Sequence, residues 1–385
     1  MRKINTVTVT GAAGTVGGYV VRELLEKKYA VIAVDRPGTL RHLREVVKEK
    51  SLMVREMDLC DEKRAGNALY GSDAFLISNA DAVINLAADL DITKPYSSLK
   101  SINVDAPVNL FKELITLRGK VFIHFSSGSV YADCGPYELH EDSPVEGKSG
   151  YEISKIISEE CLKVLAGYLN APKLIIIRPS LIYGRGGRFL AAGVMALPPI
   201  LGFLFGEKVP RIHGGPKVNL IHAEDVARAA VFLLENEEKI KSGEVFNVAD
   251  DMPVGFGEVF DAAVEAYGLK RVFPLPLPSP VFMAPFKHLI DTELFFKIFD
   301  APIDLLWWAI RKKYGIKSNF NARFEKEMAA YFTKDTIFSN DKIKRLGFSL
   351  KYPTVKEGMK NVVEWYRMRN WIPKEVKPFW KVRER

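Results

Sequence analysis

The chain has 385 residues, long for a single hydrophobic core, so one large domain with an appended lobe, or two domains, is expected. Hydrophobic residues make up 48% and charged residues 26%, which excludes a disordered chain; a net charge of +8, with no block of basic residues interleaved with aromatics, argues against a nucleic-acid groove and leaves anionic cofactors or a membrane surface open. Cys60, Cys134 and Cys161 form no Cys-x-x-Cys pair and the six histidines no His-x-x-x-His pair, so reduced thiols, a cytoplasmic setting and no metal site are expected.

In chain order, Met1 to Asn5 runs directly into Thr6-Val7-Thr8-Val9-Thr10, which reads as a strand and leaves no room for a signal peptide. Gly11-Ala12-Ala13-Gly14-Thr15-Val16-Gly17 follows, and then apolar residues at helical spacing: Val16, Val20, Val21, Leu24 and Leu25. Glycines between a strand and a helix allow a tight turn and let backbone N–H groups approach a pyrophosphate, whose charge the helix N-terminus favours. The spacing is Gly-x-x-Gly-x-x-Gly, not the commoner Gly-x-Gly-x-x-Gly.

A second strand, Val31-Ile32-Ala33-Val34, closes on Asp35, 18 residues after Gly17. An acid there accepts hydrogen bonds from the adenosine ribose and repels a 2′-phosphate, which points to NAD; Arg36 beside it keeps NADP open, because a guanidinium pairs with that phosphate or stacks on adenine. Asp58-Leu59 is placed to meet the adenine. Further strands read at Ala82 to Leu86, Val121 to Phe125 and Leu174 to Ile177. Strands alternating with helices imply crossover units and a parallel, doubly wound α/β sheet.

After about Arg178, glycine, proline and phenylalanine thicken. Residues 1–188 read as the dinucleotide-binding domain, with 218–250 returning to it as a strand and a helix; 189–217 and 251–385 read as a smaller, mostly helical lobe for the substrate. The uncharged run Phe189 to Gly206 holds Pro198, Pro199 and glycines, which argues against a spanning helix. Tyr-x-x-x-Lys occurs three times, at Tyr96–Lys100, Tyr151–Lys155 and Tyr352–Lys356, and the spacing alone does not choose among them.

The glycine triplet, Asn85-Leu86-Ala87-Ala88, Asn103 to Leu110, Phe125-Ser126-Ser127-Gly128-Ser129-Val130-Tyr131, Tyr151-x-x-x-Lys155, Arg178-Pro179-Ser180-Leu181-Ile182-Tyr183-Gly184 and Asn219 to Ala227 follow one another in an order that resembles the extended short-chain dehydrogenase/reductase family. The resemblance implies a Rossmann-type fold, a homodimer, and a dinucleotide held by Gly11, Gly14, Thr15, Val16, Gly17, Asp35, Arg36, Asp58, Leu59, Ala87, Tyr151, Lys155 and Pro179. It also singles out one tyrosine, since a serine about two dozen residues upstream accompanies the catalytic one in that family and Ser127 precedes Tyr151 by 24. Ser127, Tyr151 and Lys155 are then the catalytic set, with Ser126 and Ser129 as alternatives for the serine; Asn103 is expected to orient the site through a backbone or water contact, and Tyr96 and Tyr352 to be ordinary surface residues.

The implied chemistry is hydride transfer at a carbon bearing a hydroxyl, coupled to movement of the hydroxyl proton. A free phenol, with a pKa near 10, is a poor base at neutral pH, and lowering it by about 3 units takes roughly 4 kcal/mol. Lys155, one helical turn away, is expected to supply that charge and to bond the nicotinamide ribose, while Ser127 holds the substrate oxygen and Tyr151 acts as base for oxidation or acid for reduction.

Two substrate classes compete. Nucleotide-sugar epimerases and dehydratases resemble this chain but carry an Arg-Asp pair where it has Val218-Asn219, and an asparagine after the Tyr-Gly turn where it has Arg185-Gly186-Gly187-Arg188. The branch of 3β-hydroxysteroid and sterol-4α-carboxylate 3-dehydrogenases is similar in its tail, at Phe338-Ser339, Lys342, Leu346-Gly347, Pro353, Glu357-Gly358 and Trp365, and implies a hydrophobic, sterol-like or lipid-like substrate. The apolar segment near 280–315, with Leu305, Leu306, Trp307, Trp308 and Ile310 followed by Arg311-Lys312-Lys313, suits either a helix at a membrane interface or the core or lid of the lobe. A non-catalytic dinucleotide sensor on the same fold is a third reading, weakened because both Tyr151 and Lys155 are present.

Overall fold

The computed structural model describes residues 4–40, 50–60, 80–132, 135–187, 190–279, 293–316 and 334–381. Its longer elements in chain order are β1 (Thr6–Thr10), α1 (Thr15–Glu26), β2 (Ala30–Asp35), β3 (Leu52–Glu56), β4 (Ala82–Asn85), α2 (Ala106–Thr116), β5 (Val121–Phe125), α3 (Gly150–Ala166), β6 (Lys173–Pro179), β7 (Leu181–Tyr183), α4 (Leu190–Phe205), β8 (Lys208–Gly214), β9 (Leu220–His222), α5 (Ala223–Glu235), β10 (Glu244–Val248), α6 (Phe256–Ala266), β11 (Lys270–Leu277), α7 (Glu293–Tyr314) and α8 (Val355–Met368).

The strands expected near 6, 31, 82, 121 and 174 all form, and with β3 and β10 they make a seven-stranded parallel sheet in the order β10-β6-β5-β4-β1-β2-β3. Chain order reverses between β1 and β4, so a crevice opens where those two strands end. The central strands are largely apolar on both faces because helices cover both. On one side α1 and α5 pack through Val20, Leu24, Val226 and Leu233; on the other, α2 and α3 pack through Phe111, Leu114 and Leu162. Phe111 meets Phe122 of β5 edge to face at 5.2 Å, and burying each ring contributes roughly 2 to 3 kcal/mol.

A separate cluster is built from α4, α6, α7 and α8, centred on Phe256, Val259, Val363 and Tyr366. Two details differ from the sequence reading. The strand at 220–222 does not return to the main sheet but pairs with β7, and the strand that closes the sheet edge is β10. The second is a strand the sequence reading did not list: the proline-rich stretch at 273–277 belongs to β11, which pairs in parallel with β8 with a register shift between Arg271 and Phe273. Pro274 and Pro276 lack the N–H that a neighbour on the other side would need, which suits an edge strand. Pro198 and Pro199 lie inside α4, and no helix among the described residues is long and apolar enough to cross a membrane. The apolar segment divides: Trp307 and Ile310 of α7 are buried in the second cluster, whereas Leu305 and Trp308 are exposed. Residues 280–292, the first part of that segment, lie outside the described residues, as do Cys134 and Arg188.

Asp250, just past β10, is buried; Asn219 Nδ2 donates to its Oδ1 at 2.8 Å, and its Oδ2 has no partner among the described residues. Burial pushes its pKa up to about 8. With the folded value above the unfolded one, stability is complete below about pH 4 and is lost as pH rises towards about 8. Asp250→Asn, which mimics the protonated acid, is therefore expected to raise the melting temperature by several degrees at pH 8 and to leave it unchanged near pH 4. Thermal unfolding at the two pH values checks this.

Candidate active site

The glycine turn sits at the carboxyl end of β1. Gly11 has φ +67°, and a Cβ there would lie 2.8 Å from Ala87 N, so the turn is pressed against the segment that leaves β4. A Cβ on Gly17 would lie 2.2 Å from Gly11 O and 2.8 Å from Ala12 Cα. These are backbone atoms that cannot swing aside, and the close approach keeps the N-terminus of α1 bare, as a pyrophosphate requires. Gly14 N bonds Gly11 O at 3.0 Å to close the turn; Thr15 begins α1, and Val16 packs on the core beneath it. Gly17→Ala is expected to weaken NADH binding roughly tenfold or more, read by fluorescence titration.

Asp35 ends β2 half-buried, its Oδ2 accepting from Ala13 N at 2.8 Å and its Oδ1 from Arg36 N at 2.7 Å. It is thereby fixed beside the glycine turn with lone pairs left for a ribose, while Arg36 is exposed. Asp58 follows β3, exposed, with Oδ1 accepting from Cys60 N at 2.9 Å; Leu59 packs on the core near the same sheet end. Ala87 lies over the turn, and Pro179 ends β6, where its carbonyl would be 2.9 Å from a Cβ on Gly128. The bare turn, the anchored acid and the crevice at the strand reversal fit a dinucleotide.

α3 carries Tyr151 and Lys155, and its start is held in three ways. Ser149 and Glu152 form a capping box, with Glu152 N donating to Ser149 Oγ at 3.2 Å and Ser149 N to Glu152 Oε2 at 3.0 Å. Gly150 lies against the backbone of 94–96; a Cβ would come within 2.5 Å of Lys94 O. Asn103, in a π-helical turn, donates from Nδ2 to Asp89 O at 3.0 Å and to Ser154 Oγ at 2.9 Å, and Ser154 Oγ donates to Tyr151 O at 2.6 Å. Asn103 therefore acts on α3 through a serine hydroxyl.

Ser127, two residues past β5, stands close enough to the Tyr151 phenol to favour its ionised form. Its Oγ also accepts from Ser129 N at 3.2 Å, whereas Ser126 is buried and Ser129 exposed. Lys155 Nζ donates to Phe125 O at 2.9 Å and stands 5.8 Å from the centre of the Tyr151 ring. The other two Tyr-x-x-x-Lys pairs are otherwise engaged: Lys100 pairs with Asp105 at 2.7 Å and Lys356 with Glu265 at 2.9 Å. Tyr352 is more than a surface residue, since its ring packs on His222 at 4.2 Å.

The electrostatics differ from the expectation of a lowered phenol. Burial pushes Tyr151 up to about 12, and the Ser127 hydroxyl only partly offsets this. Burial also brings Lys155 down to about 8, opposed by Glu159. At neutral pH the phenol is thus protonated, the form that can act as an acid.

Sequence reasoning missed what stands behind Lys155. Arg178 donates from Nε and an Nη to the two Glu159 oxygens at 2.9 and 2.7 Å, in a buried bidentate pair, and its guanidinium stacks on Tyr131 at 4.9 Å. The spacing of Glu159, one turn after Lys155, was a usable signal.

The model of the NAD dependent epimerase/dehydratase family matches residues 7–249. The UDP-glucose 4-epimerase of Schizosaccharomyces pombe is 28% identical over 347 residues, covering 80% of this chain and 95% of that one. The decarboxylating sterol-4-alpha-carboxylate 3-dehydrogenase of Dictyostelium discoideum is 24% identical over 290 residues, covering 73% and 82%. Among solved structures, the Bacillus anthracis dTDP-glucose 4,6-dehydratase in complex with NAD superposes with a TM-score of 0.66 at 17% identity, over 96% of this chain and all of that one.

Proposed function

The chain belongs to the NAD dependent epimerase/dehydratase family, and from that premise we propose that it interconverts a secondary alcohol and a ketone, with Tyr151 as the group that exchanges the proton. When bound, the coenzyme would take the hydride as NAD+ in oxidation or supply it as NADH in reduction. Ser127 orients the substrate oxygen towards the phenol, Tyr151 gives up its proton to a ketone oxygen or takes one from an alcohol, and Lys155 stands behind the ring as the stabilising cation. The supporting observation is the convergence of Ser127, Tyr151 and Lys155 at the end of β5, beside the glycine turn. A phenol held near 12 favours reduction at neutral pH, and alcohol oxidation then speeds up as pH rises.

We infer a hydrophobic substrate. Where nucleotide-sugar enzymes place an arginine and an aspartate, Val218 is buried, and Asn219 spends its amide inside the protein: Nδ2 bonds Asp250 Oδ1 at 2.8 Å and Oδ1 accepts from Phe338 N at 2.9 Å. Arg185 Nε is tied to Asn361 at 2.8 Å. The second reading, a nucleotide-sugar epimerase or dehydratase, is favoured by the names of the relatives that span most of the chain. Incubation with NAD and either a 3-hydroxysterol or UDP-glucose and dTDP-glucose separates them. NADH formed with the sterol alone supports the first; converted sugar nucleotide establishes the second.

A lipophilic substrate needs delivery. Leu305 and Trp308 on α7, with Phe379 and Trp380 of the C-terminal segment, are 52 to 65% exposed, and Lys312 lies over the Trp308 ring at 5.2 Å. We propose that this face touches anionic membranes. Flotation with anionic vesicles at low salt is expected to carry the protein up, and Trp308→Ser with Trp380→Ser to abolish it.

A further inference from the structure

The middle of the main sheet is largely apolar, and one line of polar side chains crosses it. Thr10, Asn85 and His124 stand side by side on β1, β4 and β5, paired in register, and Ser158 of α3 faces His124; none is more than 1% exposed. Burying four polar side chains where isoleucine or valine would pack is costly unless every group is satisfied.

They are satisfied in one direction. Ala87 N–H, which can only donate, points to Thr10 Oγ1 at 3.4 Å; Thr10 Oγ1 donates to Asn85 Oδ1 at 2.6 Å; and Asn85 Nδ2 donates to His124 Nδ1 at 3.2 Å. With Nδ1 accepting, the neutral imidazole carries its proton on Nε2 and donates it to Ser158 Oγ at 3.3 Å. Burial and the Lys155 ammonium hold His124 well below the usual imidazole range, so it stays neutral in this role.

The ends of the line meet the two halves of the site. Thr10 precedes Gly11, and Ala87 touches the turn that Gly11 makes. At the other end, His124 precedes Phe125, whose carbonyl holds Lys155 Nζ at 2.9 Å, and Ser158 lies one turn beyond Lys155 on α3.

We propose that His124 is a positioning residue: through Asn85 and Ser158 it fixes α3 against the sheet in register with the glycine turn, so that Lys155 and Tyr151 face the seated dinucleotide. This rests on reading Tyr151 and Lys155 as the reacting pair.

The test uses the full chain with NADH as probe and two readouts that need no substrate. One is NADH affinity by fluorescence. The other is the ionisation of Tyr151, taken as the ultraviolet titration of each variant minus that of the same variant carrying Tyr151→Phe. His124→Leu is expected to weaken NADH binding about tenfold, the worth of one buried hydrogen bond, and to shift the Tyr151 ionisation further upwards. His124→Gln, which can still donate to Ser158, is expected to bring the Tyr151 pKa back towards wild type. If His124→Leu does not fold, Ser158→Ala cuts the same bond and is expected to shift the Tyr151 pKa upwards. A variant that folds with both NADH affinity and Tyr151 ionisation unchanged overturns the proposal while leaving the reading of Tyr151 intact. Tyr151→Phe with turnover close to wild type overturns that reading instead.

Discussion

Replacing Tyr151 with phenylalanine is expected to lower turnover about 10³-fold, in the middle of the range that general acid–base catalysis supplies, and to leave NADH affinity within about twofold of wild type. The ring is 8% exposed, so phenylalanine keeps its packing, and the loss is confined to the hydroxyl. In the proposed mechanism, removing that hydroxyl takes away the exchangeable proton, while Lys155 remains on the Phe125 carbonyl and the glycine turn is untouched. Steady-state rates at saturating coenzyme, beside an NADH titration, check both halves. Turnover close to wild type would remove Tyr151 from the reaction.

Arg178→Leu is expected to cost about 3 to 5 kcal/mol of stability, measured by urea unfolding at neutral pH. The guanidinium and the Glu159 carboxylate are only 5 and 3% exposed, and the substitution leaves that carboxylate buried without its main partner. Converting both to leucine is expected to recover most of the loss, because two desolvated charges then leave together. The sign with pH follows from Glu159, whose pKa lies below the usual value, burial being outweighed by its bonds to Arg178. A depressed carboxylate contributes stability above its unfolded pKa, near 4.3, and loses it as pH falls through the folded value, so the penalty of Arg178→Leu shrinks in acid. Lys155 responds as well, since Glu159 is the charge that opposes its loss of a proton.

Much of this was legible in the chain itself, for a physical reason. The central strands of a doubly wound sheet are covered on both faces, so they are written as continuous apolar, β-branched runs such as Leu174 to Ile177. The glycine turn was legible because its chemistry is local: Gly11, Gly14 and Gly17 serve one turn of backbone. What stayed hidden depends on contacts across the fold. That β9 would pair with β7 rather than with the main sheet, or that a strand with two prolines would run parallel to β8, follows from which edges are free. Spacing marked Tyr151 and Lys155 as a pair but could not give the sign of the phenol's shift, since burial is tertiary and here outweighs the Ser127 hydroxyl. The apolar segment shows the same limit, with Trp307 and Trp308 adjacent in sequence and on opposite sides of the protein surface.

The central claim is that a hydride and a proton move between bound coenzyme, Tyr151 and a substrate ketone. The most direct measurement gives the enzyme NADH deuterated at the transferred position and follows the label into a panel of 3-ketosterols by mass spectrometry. Deuterium is predicted on the carbinol carbon with wild-type protein, and the label should stay in the coenzyme with Tyr151→Phe. Label that never leaves NADH with any ketone offered, or leaves it equally well in the phenylalanine variant, would contradict the account.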